Sequence, residues 1–219
     1  MNKLYKSVRN YALKQKQKLI ETRTTSQQKR ILDYGCGTGY FLAHMQKNGF
    51  EVTGFEPDKD ARNVAKRTHG INVEDNLNNI QGRFDIITLW HVLEHVYHID
   101  KTIDLLVEKL EKNGLLIIAV PNPDSFDAKY YQKFWAAYDV PRHLYHFTPD
   151  VILNYFLAKN LQIETILPMY FDAFYVSMLS EKYKGGNLLK AGLVGLRSNL
   201  NALLSKKPEF SSQIYVFRK

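Results

Sequence analysis

With 219 residues, 45% of them hydrophobic and 24% charged, the chain fits one globular domain of ordinary to large size, or such a domain with an appendage. Its single cysteine, Cys36, excludes an internal disulfide and any cysteine-based zinc site. The first residues lack the apolar core of a signal peptide and no run reaches the roughly 18 apolar residues of a membrane span, so the expected compartment is the cytoplasm.

The net charge of +8 is unevenly placed. Residues 1–30 hold nine Lys or Arg against Glu21 alone, the middle of the chain is net acidic, and residues 180–219 are again basic. Basic ends of this kind are either solvated lysine-rich faces or peripheral contacts with an anionic surface. Residues 3–20 place Leu4, Val8, Tyr11, Ala12, Leu19 and Ile20 near one helical face. We read 1–28 as an N-terminal basic amphipathic helix ahead of a main domain, 29–219.

Ile31-Leu32-Asp33 is a short apolar run ending in an acid, and Gly35, Gly37 and Gly39 follow at alternate positions. Helical spacing then begins with Phe41, Leu42 and Met45 and ends at Gly49. The pattern predicts strand, tight turn, helix, with bare backbone and helix N-terminal amides offered to a ligand. The dinucleotide fingerprint needs a third glycine where Tyr40 stands, and Asp33 would repel a pyrophosphate but suit an ammonium group. D-x-G-x-G-x-G resembles the first motif of class I S-adenosylmethionine-dependent methyltransferases. That resemblance implies an α/β, Rossmann-like doubly wound sheet of seven mostly parallel strands, the last antiparallel. It also implies S-adenosylmethionine as cofactor, with S-adenosylhomocysteine as product, held by Asp33, Gly35, Gly37 and Gly39.

Glu51–Glu56 predicts the second strand, followed by a helix that Asp58 caps and Gly70 stops. Glu56, at that strand's end, is placed to accept both hydroxyls of a ribose, as in dinucleotide folds. Ile71-Asn72-Val73 reads as a short third strand, and the resemblance implies that Asp75 or Asn76 after it contacts the adenine. Phe84–Trp90 is a continuous apolar run suited to a strand buried on both faces. The segment Val92-Leu93-Glu94-His95-Val96 resembles its counterpart in ubiquinone-biosynthesis-type and related small-molecule methyltransferases. The likeness implies that Trp90 and His91 lie beside the cofactor's methionine end. His91, Glu94, His95 and His98 raise the question of a metal, but the H-E-x-x-H arrangement is absent and no metal is expected.

Asp100 to Leu110 predicts a helix stopped by Gly114, and Leu115–Val120 a fifth strand. Residues 124–147 form an aromatic insertion with Trp135, Asp139, Arg142 and His143 around Pro141. Strand–helix alternation places it over the C-terminal edges of the strands, where it would serve as a lid lined with acceptor-binding residues; ordinary aromatic packing is the other reading. Thr148-Pro149-Asp150 starts a helix, Leu161–Ile166 and Gln213–Phe217 predict the last strands, and 168–211 holds a second, helical insertion.

The Trp135…Asp139-x-Pro141-Arg142-His143-Leu144 pattern resembles one subgroup of these methyltransferases associated with cell-envelope saccharide or lipid-linked metabolism, and the resemblances together imply O-methylation of a small-molecule, saccharide or lipid-linked acceptor. A hydroxyl acceptor needs a base near neutral pH, and His143 leads His91 and His95 for that role. Leu89-Trp90-His91-Val92 stands where DNA-base methyltransferases carry an Asn/Asp-Pro-Pro-aromatic turn, which argues against DNA as the substrate. A catalytically silent binding or scaffold protein and a nucleotide-dependent oxidoreductase are the alternatives. Asp33, the three glycines and Glu56 count against the first, Tyr40 and Asp33 against the second.

Overall fold

The computed structural model describes residues 3–25 and 27–219, with side chains from Lys6 onward. In chain order the elements are α1 (Lys3–Glu21), β1 (Arg30–Tyr34), α2 (Tyr40–Lys47), β2 (Glu51–Phe55), α3 (Lys59–His69), β3 (Phe84–Trp90), α4 (Ile99–Lys109), β4 (Leu110–Pro121), α5 (Phe126–Tyr131), α6 (Pro149–Ala158), β5 (Gln162–Pro168), α7 (Tyr170–Lys184), α8 (Leu188–Leu204) and β6 (Ser212–Arg218). By their internal contacts they fall into two units. The first comprises Met1–Thr88 and Glu108–Gly114, the second Leu89–Val107 and Leu115–Lys219.

In the first unit β1 lies between β2 and β3, parallel to both. Such a strand is covered on both faces, and Ile31, Leu32, Ile86 and Ile87 are accordingly fully buried, each contributing about 1.5–3 kcal/mol of transfer free energy. The register sets Asp33 opposite Gly54 on one side and Thr88 on the other. α3 has the predicted ends: Asp58 accepts the Ala61 N–H at 2.7 Å, and Gly70 closes it in the left-handed region. The expected third strand at 71–73 is absent as a strand. Two hydrogen bonds, Glu74 N–H to Gly54 O and Glu56 N–H to Glu74 O, leave a single parallel bridge between Phe55 and Glu74. Three residues with Asn72 exposed are too few to extend the ladder, so six strands are formed among the described residues where seven were expected. α1 also differs from its sequence reading. Leu13, Leu19 and Ile20 are buried and Gln17 is bonded to His44, while Val8 and Tyr11 face outward and Arg9 lies over the Tyr40 ring, so the apolar contacts come from the C-terminal half. Leu4 lies outside the residues whose side chains are described.

In the second unit β6 runs antiparallel to both β4 and β5, as the last strand was expected to. α4 ends at Lys109, in the short stretch that belongs to the first unit, before its predicted stop at Gly114, and the chain turns extended from Leu110 onward. Thr148 caps α6 through the Val151 N–H, with Pro149 in the first turn. Gly185, at φ 74°, ends α7, and Asn187 caps α8. The two helices approach closely at Gly195, where a Cβ would stand 2.9 Å from the Phe174 Cα. The inner side of α8 is built mostly of small residues (Ala191, Gly195, Ser198, Ala202) with Val194 and Asn199, whereas Leu189, Leu193, Leu196, Leu200 and Leu203 are exposed.

Candidate active site

The glycine turn of the first unit is shaped by backbone alone. Gly35, Gly37 and Gly39 all have positive φ (77°, 54° and 78°), a region L-residues with side chains rarely enter. At Gly37 nothing lies within 4 Å of a would-be Cβ, so glycine there serves the turn and leaves its outer face open; at Gly39 a Cβ would meet Ala65 at 3.0 Å. The N–H groups of Gly35 and Cys36 both donate to Phe55 O, which fixes the turn to the end of β2. Cys36 is half-buried, and its thiol is held above its ordinary value by that burial and by Asp33 and Glu56, which disfavours the thiolate.

Asp33 is 3% exposed, and Thr88 Oγ1 donates to its Oδ1 at 2.6 Å. Burial drives its pKa up to about 7, against the opposing pull of the Thr88 hydrogen bond and Lys16, with Glu56 adding to the rise. A carboxyl in this condition is short of positive partners and would gain by receiving one. Glu56 is aimed by the backbone: Gly37 N–H donates to its Oε2 at 2.8 Å and Asp58 N–H to its Oε1 at 3.0 Å. Each oxygen retains acceptor capacity for a hydroxyl. Asp75 and Asn76 are already engaged within their loop. Asp75 pairs with Arg62 at 3.0 Å, and Asn76 accepts the Asn78 N–H at the same distance. Arg62, which sequence reading missed, also donates to the carbonyls of Glu56 and Pro57 and so braces this corner.

The second unit gathers most of the other candidates. His91 takes a positive φ of 56°, its N–H held by Ala119 O. Its Nε2 lies 3.1 Å from Asp172 and its Nδ1 3.5 Å from Glu94. Burial alone would lower its pKa, but the bonds and charges of Asp172 and Glu94 overcome that and raise it to about 10. That direction favours the protonated ring and counts against His91 as a general base at neutral pH. Asp172, from the first turn of α7, gave no local signal in the sequence.

His143 has its Nδ1 2.8 Å from Ala137 O, and His95 has its Nδ1 2.9 Å from Arg142 O. The two rings meet edge to face with centroids 4.6 Å apart, and Glu94 joins them. Desolvation lowers the His143 pKa, with Glu94 and the Ala137 carbonyl opposing. Asp139 and Arg142 form their own pair at 2.6 Å, so Arg142, 74% exposed at its side chain, is already matched with a carboxylate. Trp90 is half-buried at the end of β3. Trp135, expected to line the acceptor site, is instead only 2% exposed. It packs with Tyr131, Val176 and Val194 and donates its indole N–H to Asp127 at 2.8 Å. Its large ring is spent on the core of the insertion.

A family model described as a methyltransferase domain matches residues 5–166. The chain belongs to that methyltransferase family. A ubiquinone biosynthesis O-methyltransferase from Alkalilimnicola ehrlichii is 32% identical to this methyltransferase domain over 111 residues, 45% of this chain and 44% of that one. The domain spans about half the length of the curated relatives it matches. A putative sarcosine dimethylglycine methyltransferase from Galdieria sulphuraria superposes with a TM-score of 0.65 at 13% identity, covering 97% of this chain and 86% of that one. A magnesium protoporphyrin IX methyltransferase from Synechocystis, solved with S-adenosylhomocysteine bound, gives a TM-score of 0.62 at 13% identity, covering 100% and 88%. These likenesses show the α/β, Rossmann-like methyltransferase fold.

Proposed function

We propose that this methyltransferase domain binds S-adenosylmethionine and methylates a hydroxyl of a small molecule. The observation that carries the reading is Asp33: a buried, under-partnered carboxyl beside an open glycine turn, with the backbone-aimed Glu56 at the end of the adjacent strand. Those residues suit the cofactor's chemistry. Asp33 would take the ammonium, Glu56 the ribose hydroxyls, and the glycine turn the close approach of uncharged atoms. A pyrophosphate would find two acids and no cation in the turn, which sets the oxidoreductase reading aside.

Bound S-adenosylmethionine would supply a methyl group already activated on a sulfonium. What the protein must add is orientation of the acceptor and removal of its hydroxyl proton. The trio Glu94, His95 and His143 is the part of the second unit best equipped for that, since Asp172 and Glu94 raise the His91 pKa and Arg142 is paired. The relatives named as ubiquinone biosynthesis O-methyltransferases support oxygen as the methylated atom.

Calorimetric titration with S-adenosylmethionine, S-adenosylhomocysteine and NAD tests the reading. The expected result is micromolar binding of both adenosyl compounds and none of NAD. Absence of adenosyl binding would overturn the proposal and favour a scaffold that has kept only the fold.

A further inference from the structure

In the second unit, Leu189, Leu193, Leu196, Leu200 and Leu203 recur along α8 at alternating steps of four and three, which sets them in one stripe, and they are 48–84% exposed. The other side of the helix is already used against α7, where Gly195 admits the backbone of Phe174. The stripe therefore has no place in the core of its own unit. On α7, Tyr175 and Met178 are exposed as well. Side chains of this size left outside on two neighbouring helices mark an interaction surface.

Charge decides what covers it. Residues 170–207 hold Lys182, Lys184, Lys190, Arg197, Lys206 and Lys207 against two acids, Asp172 and Glu181. Asp172 is matched to His91 at 3.1 Å and Glu181 is 1% exposed, so neither balances the cations. Where α7 turns into α8, the Lys184 and Lys190 ammoniums both lie over the Tyr130 ring, 5.5 and 5.9 Å from its centroid. The Arg197 guanidinium lies over Phe126 at 4.9 Å, and Phe126 stacks with Tyr130. The two rings thus gather three cations beside the leucines, and no carboxylate pairs with any of the three among the described residues. Ring faces hold a cation without using up its N–H donors. A seam with a second copy of α8 would call for opposite charges flanking the leucines, and here it would set cation against cation. An anionic lipid surface satisfies both features, because leucines enter the boundary between headgroups and acyl chains while lysines and arginines meet the phosphates. No helix among the described residues is long and apolar enough to cross a membrane, so the contact is one that lies on the surface.

We propose that the α7–α8 hairpin docks peripherally on an anionic phospholipid membrane, with the leucine stripe of α8 in the interface and Lys184, Lys190 and Arg197 on lipid phosphates. Such docking asks nothing of the glycine turn or of Asp33, so it stands or falls apart from the function proposed above.

The test is co-sedimentation of the full chain with phosphatidylglycerol vesicles and with phosphatidylcholine vesicles, at low and high salt. Partitioning should be at least roughly tenfold stronger onto the anionic vesicles and should weaken as salt rises. Leu193→Glu with Leu200→Glu should weaken it by roughly tenfold or more, because each puts a charge where the stripe enters the lipid. Replacing Lys184, Lys190 and Arg197 by Gln should cost roughly fivefold for each cation removed. Leu157→Glu, at an equally exposed leucine of α6, should change nothing. All the replaced side chains are exposed, and circular dichroism with a urea midpoint confirms that each variant is folded. Equal partitioning onto both kinds of vesicle would overturn the proposal. Full binding in the leucine or cation variants would overturn it too, by moving the contact to another part of the chain. So would a dimer in sedimentation velocity that Leu193→Glu with Leu200→Glu dissolves, which would give the face to a second copy.

Discussion

Asp33 in the first unit and Asp127 in the second are both buried carboxyls, and they are treated in opposite ways. Asp127 is 0% exposed and receives three side-chain donors: Trp135 Nε1, Ser198 Oγ and Ser211 Oγ, at 2.8, 2.6 and 2.7 Å. Asp33 receives one, Thr88 Oγ1. Three donors exhaust most of what a carboxylate can accept in a packed interior, so Asp127 has nothing left for a ligand and pins α5, α8, the buried Trp135 and the approach to β6. One donor leaves Asp33 wanting a cation. Partner count, more than burial or residue type, separates the structural acid from the one proposed to meet the cofactor.

The comparison breaks most visibly at Asp127. Asp127→Ala strands three buried donors at once, and we expect a loss of about 3–5 kcal/mol in unfolding free energy by urea denaturation, with cofactor affinity of the folded fraction unchanged. A change under 1 kcal/mol would mean that the network is dispensable. Asp33→Asn should do the reverse. The amide keeps an oxygen for Thr88 and costs little stability, but it removes the charge that meets the ammonium, so S-adenosylhomocysteine should bind roughly 50- to 100-fold more weakly, about 2–3 kcal/mol. Unchanged affinity in calorimetry would remove Asp33 from the cofactor site.

The two acids also differ in how visible they were beforehand. Asp33 near the end of β1, the glycines of the turn after it and Glu56 just past β2 lie where strands give way to turns, and local backbone demands write themselves there into short contiguous patterns. Asp127 finds its serines 71 and 84 positions away, and His91 finds Asp172 on a helix of the second insertion. No local spacing encodes such meetings. For the same reason the carboxylates that raise the His91 pKa, and so count against it as a base, could not be read from its neighbours in sequence. Trp135 looked like a lining residue and proved to be core, because an aromatic in a long insertion announces its size but not the partner of its N–H. The misread third strand and the outward face of α1 are failures of another kind. There the apolar pattern was present, but packing covered only part of each segment.

The smallest effect is also the most diagnostic, because it reads the Asp33 proton directly. In the free protein Asp33 titrates near 7, well above the roughly 3.9 of an unfolded aspartate. Between those values the native state holds a proton that the unfolded state has released. The resulting stability is fully present below the unfolded pKa and is lost as pH rises through about 7. An ammonium beside Asp33 favours the ionised form, so binding below pH 7 must expel that proton. S-adenosylhomocysteine should therefore bind about tenfold more weakly at pH 6 than at pH 8, close to 1.4 kcal/mol, and should release up to one proton at the lower pH. Calorimetry in two buffers of different ionisation enthalpy measures that release. Asp33→Asn should abolish both the release and the pH slope between 6 and 8, and a slope that survives the substitution would assign the proton to another group.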